Sequence, residues 1–192
     1  MKIRLESYLN LYHGTDAESA SQICANGFIP SKGANNWCGD GVYFYDINAK
    51  AWWSANRTCD TIKEFSDKKV YPCVVIADVL NVPRQEILDL RAKRDLIAFE
   101  EGTKGLFGDH LLQCDGTENE AERIRTLRSL MISFYAEKAK KSVVVGIFQQ
   151  RERDDYQTAI QFAEKLQLIA GVETIYCVKD TSYIQNIRMG GT

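Results

Sequence analysis

What this chain lacks narrows its chemistry first. Its 192 residues include only two histidines, His13 and His110. The six cysteines, at positions 24, 38, 59, 73, 114 and 177, form no CxxC pair, so the paired spacing of a zinc site is missing and no metal is expected. The opening "MKIRLESYLNLYHG" has no continuous apolar segment of the kind that directs export, and nowhere do eighteen apolar residues run together. A soluble, cytoplasmic protein with reduced thiols and no membrane partner is therefore the expectation. Charge of one sign is also missing: a net charge of -2 leaves any nucleic-acid contact dependent on a local basic patch. No repeat, low-complexity tract or clear linker divides the chain, and its length suits one domain spanning residues 1–192.

The residues present read as alternating elements. Tyr8 to His13, "YLNLYH", alternates as a short strand that ends at Gly14. Thr15 or Asp16 can cap a helix over "AESASQICAN", with Gly27 placed to stop it in the left-handed conformation. "GFIPSKGANNWCGDG" reads as a loop long enough to fold over a ligand, and "GVYFYD" as an aromatic strand. Period-two alternation puts Tyr43 and Tyr45 on one face of that strand and Val42 and Phe44 on the other. Asp46 or Asn48 then begins a helix through "AKAWWSANRTC".

Further on, "YPCVVIADVL" and "SVVVGIF" read as buried strands. Between them, about residues 84–141, lies a mostly helical segment containing "RQEILDLRAKRDLIAFEE" and "NEAERIRTLRSLMISFYAEKAKK". Ile124, Leu127, Leu130, Met131 and Phe134 are the apolar positions of the second helix. "YQTAIQFAEKLQLI" reads as a helix and "ETIYCVKD" as a final strand before a short tail. The order of elements predicts an α+β domain.

A histidine chosen only to fill a core needs no glycine beside it, so "YHGT" suggests a close approach to the backbone at Gly14. An imidazole at a strand end can bond an amide or a ribose hydroxyl, and Tyr43 offers a face for a flat heterocycle. An amide clamp plus an aromatic shelf describes a nicotinamide pocket. Over about residues 9–56, "YHGT", "ICANGF" and "GDGVYFYD" resemble, in order and spacing, the ADP-ribosyltransferases of the diphtheria-toxin and poly(ADP-ribose)-polymerase type, the His-Tyr-Glu superfamily.

The resemblance implies a split antiparallel β-sheet core with surrounding helices that binds NAD, in a bent conformation, as co-substrate. His13 would bond the ribose of the nicotinamide half. Gly14 would clamp the carboxamide through its backbone, with Thr15 beside it among the NAD-binding residues, Tyr43 would stack on the ring, and Tyr45 would lie on the same face. At the usual spacing of the second aromatic the chain offers Ser54, with Trp53 before it as the candidate shelf. Two alignments compete for the third catalytic position: Glu173, which matches by charge, and Ile175, which matches by strand pattern and the following Asp180. Glu173 is taken here.

The implied reaction is transfer of a single ADP-ribose from NAD to a macromolecular acceptor, protein or nucleic acid. An intracellular toxin of a toxin–antitoxin or phage-defence system, with a neutralising protein partner, and a regulatory modifier both fit it. Two other readings remain: an RNA 2′-phosphotransferase, which also opens on "YHGT" and uses NAD, and an inactive NAD- or ADP-ribose-binding module. Arg125 and Arg128, three apart in "RIRTLR", form either a nucleic-acid groove or a solvated helix face balanced by Glu118, Glu120 and Glu122.

Overall fold

The computed structural model describes residues 3–33, 36–112, 118–149, 165 and 172–190. Among these, seven strands and four α-helices form an α+β arrangement around one seven-stranded sheet. The strands are β1 (Leu5–Asp16), β2 (Val42–Tyr45), β3 (Pro72–Pro83), β4 (Ile87–Asp89), β5 (Val143–Gln149), β6 (Val172–Val178) and β7 (Ile184–Met189). The helices are α1 (Ala17–Asn26), α2 (Asn48–Phe65), α3 (Lys93–Leu112) and α4 (Glu118–Lys138). In space the strands run β4-β5-β6-β2-β1-β3-β7. All neighbours are antiparallel except β4 and β5.

The pairing is uneven across this sheet. β1 follows β3 from Leu5↔Pro83 to Asp16↔Pro72, and β6 follows β5 from Val143↔Val178 to Gln149↔Val172. Between β1 and β2 the described register comes down to the single pair Tyr12↔Tyr45. The sheet is therefore two well-knit halves joined by a thin central seam.

Alternation sorts the side chains of both halves into two cores. Val42, Phe44, Val75, Ala77, Val143, Val145 and Tyr176 pack on one face with Ala20 of α1 and Phe28 behind it. Val144, Ile175 and Cys177 pack on the other with Leu88, Ile132 and Ala136, the last two from α4. Tyr43 and Tyr45 lean on this second core while Val42 and Phe44 enter the first, as period-two alternation requires.

Several elements differ from the sequence reading. β1 continues through Gly14 to Asp16, because β3 supplies backbone partners, Val74 for Gly14 and Pro72 for Asp16, past the end of the apolar run. α1 starts under Asp16, whose carboxylate accepts from the amides of Glu18 and Ser19. Gly27 ends it with the positive φ of 84° that favours glycine, but its ψ of 178° is not that of the left-handed helical conformation. At the start of α2 the cap position is Ile47, with no side-chain bond from Asp46 or Asn48.

Residues Ile87–Asp89, inside the stretch expected to contain at least one helix, form the edge strand β4 ahead of α3, and the supposed tail is β7, which pairs with β3. On α4, Leu127 and Met131 are buried together with Ile132 and Ala136, whereas Ile124 and Leu130 are exposed. The helix expected over "YQTAIQFAEKLQLI" lies outside the described residues apart from Lys165, which is helical. No helix among the described residues is long and apolar enough to cross a membrane.

Candidate functional site

The seam between β1 and β2 is closed by a side chain. His13 Nδ1 lies 2.8 Å from the carbonyl oxygen of Tyr43. A carbonyl only accepts, so Nδ1 carries the proton and Nε2 of the neutral ring is a free acceptor. Burial lowers the His13 pKa from its ordinary value, against the opposing pull of the bond to Tyr43, and so keeps the ring neutral at pH 7. Phe28 and Phe44 meet the ring edge-on, with centroids 5.2 and 5.9 Å away, and fix its plane.

Beside it, Gly14 has a reason other than the one its sequence position suggests. A Cβ there would overlap the carbonyl oxygen of Ala51 and lie 2.7 Å from the amide nitrogen of Ala55. The backbone that approaches Gly14 is that of α2. Ala51 and Ala55 are themselves fully buried, so helix and strand touch main chain to main chain.

A cleft of about 860 Å³ opens along this seam. Its walls are His13, Gly14 and Thr15 of β1, one side of α1, the loop residues Ser31 and Asn36, Tyr43 of β2, and Ser54 and Thr58 of α2. The volume is that of an ordinary small-molecule site. From α1 come Glu18, Gln22 and Asn26, spaced by four so that they share one helical face. Glu18 is the only formally charged side chain among the described lining residues.

Of the residues singled out by sequence, His13, Gly14, Thr15 and Tyr43 meet at this cleft, and Tyr45, Trp53, Glu173 and Ile175 do not line it. Ser54 takes the place proposed for Trp53, because one helical step turns the next side chain by about 100°. Trp53 instead points outward, 47% exposed, with Arg57 over its ring at 5.5 Å. Ile175 is 2% exposed and packs in the second core. The α1 residues were missed by sequence reasoning, although the polar stripe 18, 22, 26 was readable.

Tyr43 lines the cleft, but its hydroxyl is already engaged. That oxygen accepts from the Cys38 amide at 2.9 Å and donates to the carbonyl of Gly39. Burial raises its pKa, as do the nearby thiols of Cys177 and Cys38, so the phenol stays protonated. Burial also pushes Cys38 well up and Cys177 to about 11, which leaves both thiols as poor nucleophiles at neutral pH.

Glu173 is 4% exposed and lies along β6 past Ile175, which pairs with Tyr45. One carboxylate oxygen pairs with Lys50 of α2; the other, Oε2, is buried with no hydrogen-bond partner among the described residues. Tyr45 connects this pair to the cleft. Its phenol, raised in pKa first by burial, is bonded to Ser54 and feels the charges of Glu173 and Lys50. Arg128 is not on a solvated face: its guanidinium stacks 4.5 Å from Trp37 and 5.1 Å from Phe148, while Arg125 is exposed.

No family model matches the chain, and no solved structure matches it. The chain is similar to "Uncharacterized protein MJ0359" of Methanocaldococcus jannaschii, 38% identical over 63 residues. That likeness covers 30% of this chain and 29% of the archaeal protein, so the chain spans less than a third of its relative.

Proposed function

We propose that the protein is a NAD-dependent mono-ADP-ribosyltransferase built on a split-sheet core of the ADP-ribosyltransferase type. The observation that carries the reading is the His13–Tyr43 bond across the sheet seam, at the wall of a cleft sized for a nucleotide half. With Nδ1 committed to Tyr43, His13 Nε2 is the acceptor for a ribose hydroxyl. The backbone of Gly14 and Thr15 holds the carboxamide, and the Tyr43 ring supplies the stacking face.

Loss of nicotinamide leaves positive charge on the ribose, and a fixed carboxylate stabilises charge of that sign. Glu173 suits this role better than Ile175: Lys50 pairs with its Oε1, and its Oε2 has no hydrogen-bond partner among the described residues, one side chain beyond the cleft wall. The nucleophile comes from the acceptor, a protein side chain or a nucleic acid. The RNA 2′-phosphotransferase reading needs several arginines, and none lines the cleft among the described residues. A binding module without transferase activity is favoured by one observation, the position of Glu173 outside the cleft lining.

The test incubates the purified protein, with His13→Ala alongside, with NAD labelled on its adenylate half and a whole-cell lysate. His13-dependent label in macromolecules is expected, and protease or nuclease sensitivity assigns the acceptor class. His13→Ala and Tyr43→Ala should each lower transfer by about a hundredfold, the scale on which lost substrate positioning acts. NAD binding without label or nicotinamide release would select the binding module, and no binding at all would overturn both readings. As an intracellular toxin with a neutralising partner, the wild-type chain expressed alone would stop growth and His13→Ala would not.

A further inference from the structure

The loop from Gly27 to Gly41 carries Ser31, Asn36 and Gly41 into the cleft wall. Between them it turns four successive carbonyls away to side chains of other elements. Arg128 Nε of α4 donates to the carbonyl of Trp37 at 3.2 Å. Lys179 Nζ, just after β6, donates to Cys38 at 3.0 Å and to Asp40 at 2.8 Å. The Tyr43 hydroxyl takes the fourth carbonyl, Gly39, and returns a bond to the Cys38 amide. Trp37, the one large side chain of this stretch, is gripped by the Arg128 guanidinium and meets Phe148 edge-on at 5.0 Å. Below the loop, Gly39 (φ 77°) passes so close to Ser133 of α4 that a Cβ would overlap its hydroxyl oxygen.

Among the described residues the loop's own bonds tie Ser31 to Gly41 and Asn36, and Gly33 to Asn36 and Asp40, with Asn36–Gly39 inside them. The carbonyls of residues 37–40 take part in none of these bonds, so outside donors are what hold that stretch. Two of the outside donors are cations whose bonds to carbonyls are charge-assisted and so the stronger kind. We infer that Lys179 and Arg128 are positioning residues of the cleft: they fix the 36–41 wall, and with it Asn36 and the Tyr43 ring, in the shape that receives the nicotinamide half of NAD. Neither residue lines the cleft or touches its contents. The inference rests on the proposed function for the identity of the ligand and on the geometry alone for the brace.

The test compares wild type, Lys179→Met, Lys179→Arg and Arg128→Met, in NAD turnover and in hydrogen exchange of the peptide covering 36–41. Lys179→Met should raise KM for NAD about tenfold with kcat within about threefold, the factor that one charge-assisted hydrogen bond supplies. Exchange at Cys38 and Gly39 should quicken, Lys179→Arg should restore both readings, and Arg128→Met should act in the same direction. Unchanged KM and unchanged exchange in Lys179→Met, or equal losses in Lys179→Met and Lys179→Arg, would overturn the inference. If a variant fails to fold, the other cation's variant decides. If wild type itself does not turn over or bind NAD, the functional reading fails, while the exchange comparison still decides whether the brace exists.

Discussion

His13 acts on the molecule through two different atoms. Nδ1 ties β1 to the carbonyl of Tyr43, and the neutral ring that this bond requires leaves Nε2 for a ligand. An unfolded histidine takes up its proton near pH 6.5, whereas burial lowers the folded pKa, so below about 6.5 the unfolded chain binds more protons. The stability His13 contributes is complete above that value and is lost as pH falls through the window beneath it. Wild type should therefore lose melting temperature from pH 7 toward 5 more steeply than His13→Gln; parallel curves would show that the ring is not held neutral. Gly14 teaches a different lesson. "YHGT" and "GVYF" identify the histidine and tyrosine because their chemistry is in their side chains, but a glycine does not reveal which backbone comes close. Here it is α2, so Gly14→Ala should destabilise by about 3 kcal/mol through overpacking, measured by denaturant unfolding, and a near-normal midpoint would contradict the contact. The Glu173–Lys50 pair is asymmetric, since Lys50 keeps 30% of its side chain in water and Glu173 only 4%. Lys50→Met strands a buried carboxylate and should cost about 2 kcal/mol, more than Glu173→Gln, in the same unfolding assay; the reverse order would mean that the carboxylate is solvated.

At the scale of elements, what could be read was what short-range chemistry controls. α1 lies where Asp16 and the stripe of Ala20 and Ile23 place it, because a cap and a helical period are local signals. Asp16→Ala should lower stability by about 1–2 kcal/mol at pH values above roughly 4, and the difference should shrink as pH falls below that through the lowered pKa of folded Asp16. Burial works to raise the Asp16 pKa, but the hydroxyl and amide of Ser19 outweigh it and hold the carboxylate charged. β4 escaped because "ILD" is three residues inside a stretch rich in helix formers, and only Val143–Val145 of β5 beside it make it a strand. β7 escaped for the same reason: "IQNIRM" has one buried residue, Ile184, and owes its form to β3. On α4 the apolar residues spread round the helix, and only the assembled fold separates Ile132 and Ala136, which enter the second core, and the buried Leu127 and Met131 from the exposed Ile124 and Leu130.

The whole molecule joins two knit half-sheets at one thin seam and opens its cleft there. Period two in "GVYFYD" was enough to assign residues to the two cores, while the strand order, which brings the 5–16 and 72–83 segments against the 172–178 half through β2, rests on pairings too distant to read in the sequence. The cleft's charge is also a property of the assembled fold. With Glu18 as its only charged lining residue among those described, the cleft offers no cation to the diphosphate of the proposed co-substrate, NAD. NAD affinity should therefore change by less than about twofold between 50 and 500 mM salt, where exposed charge pairs are screened away; a steep loss with salt would mean that cations outside the described lining hold the phosphates.

The most direct measurement is a titration of NAD into the protein labelled with nitrogen-15 in its histidine rings, with His13→Gln identifying the His13 signals. Saturable movement of the Nε2 signal, with Nδ1 remaining in its protonated, Tyr43-bonded form, is the result this geometry requires. His13 signals that stay in place at millimolar NAD, or an Nδ1 that carries no proton, would contradict it.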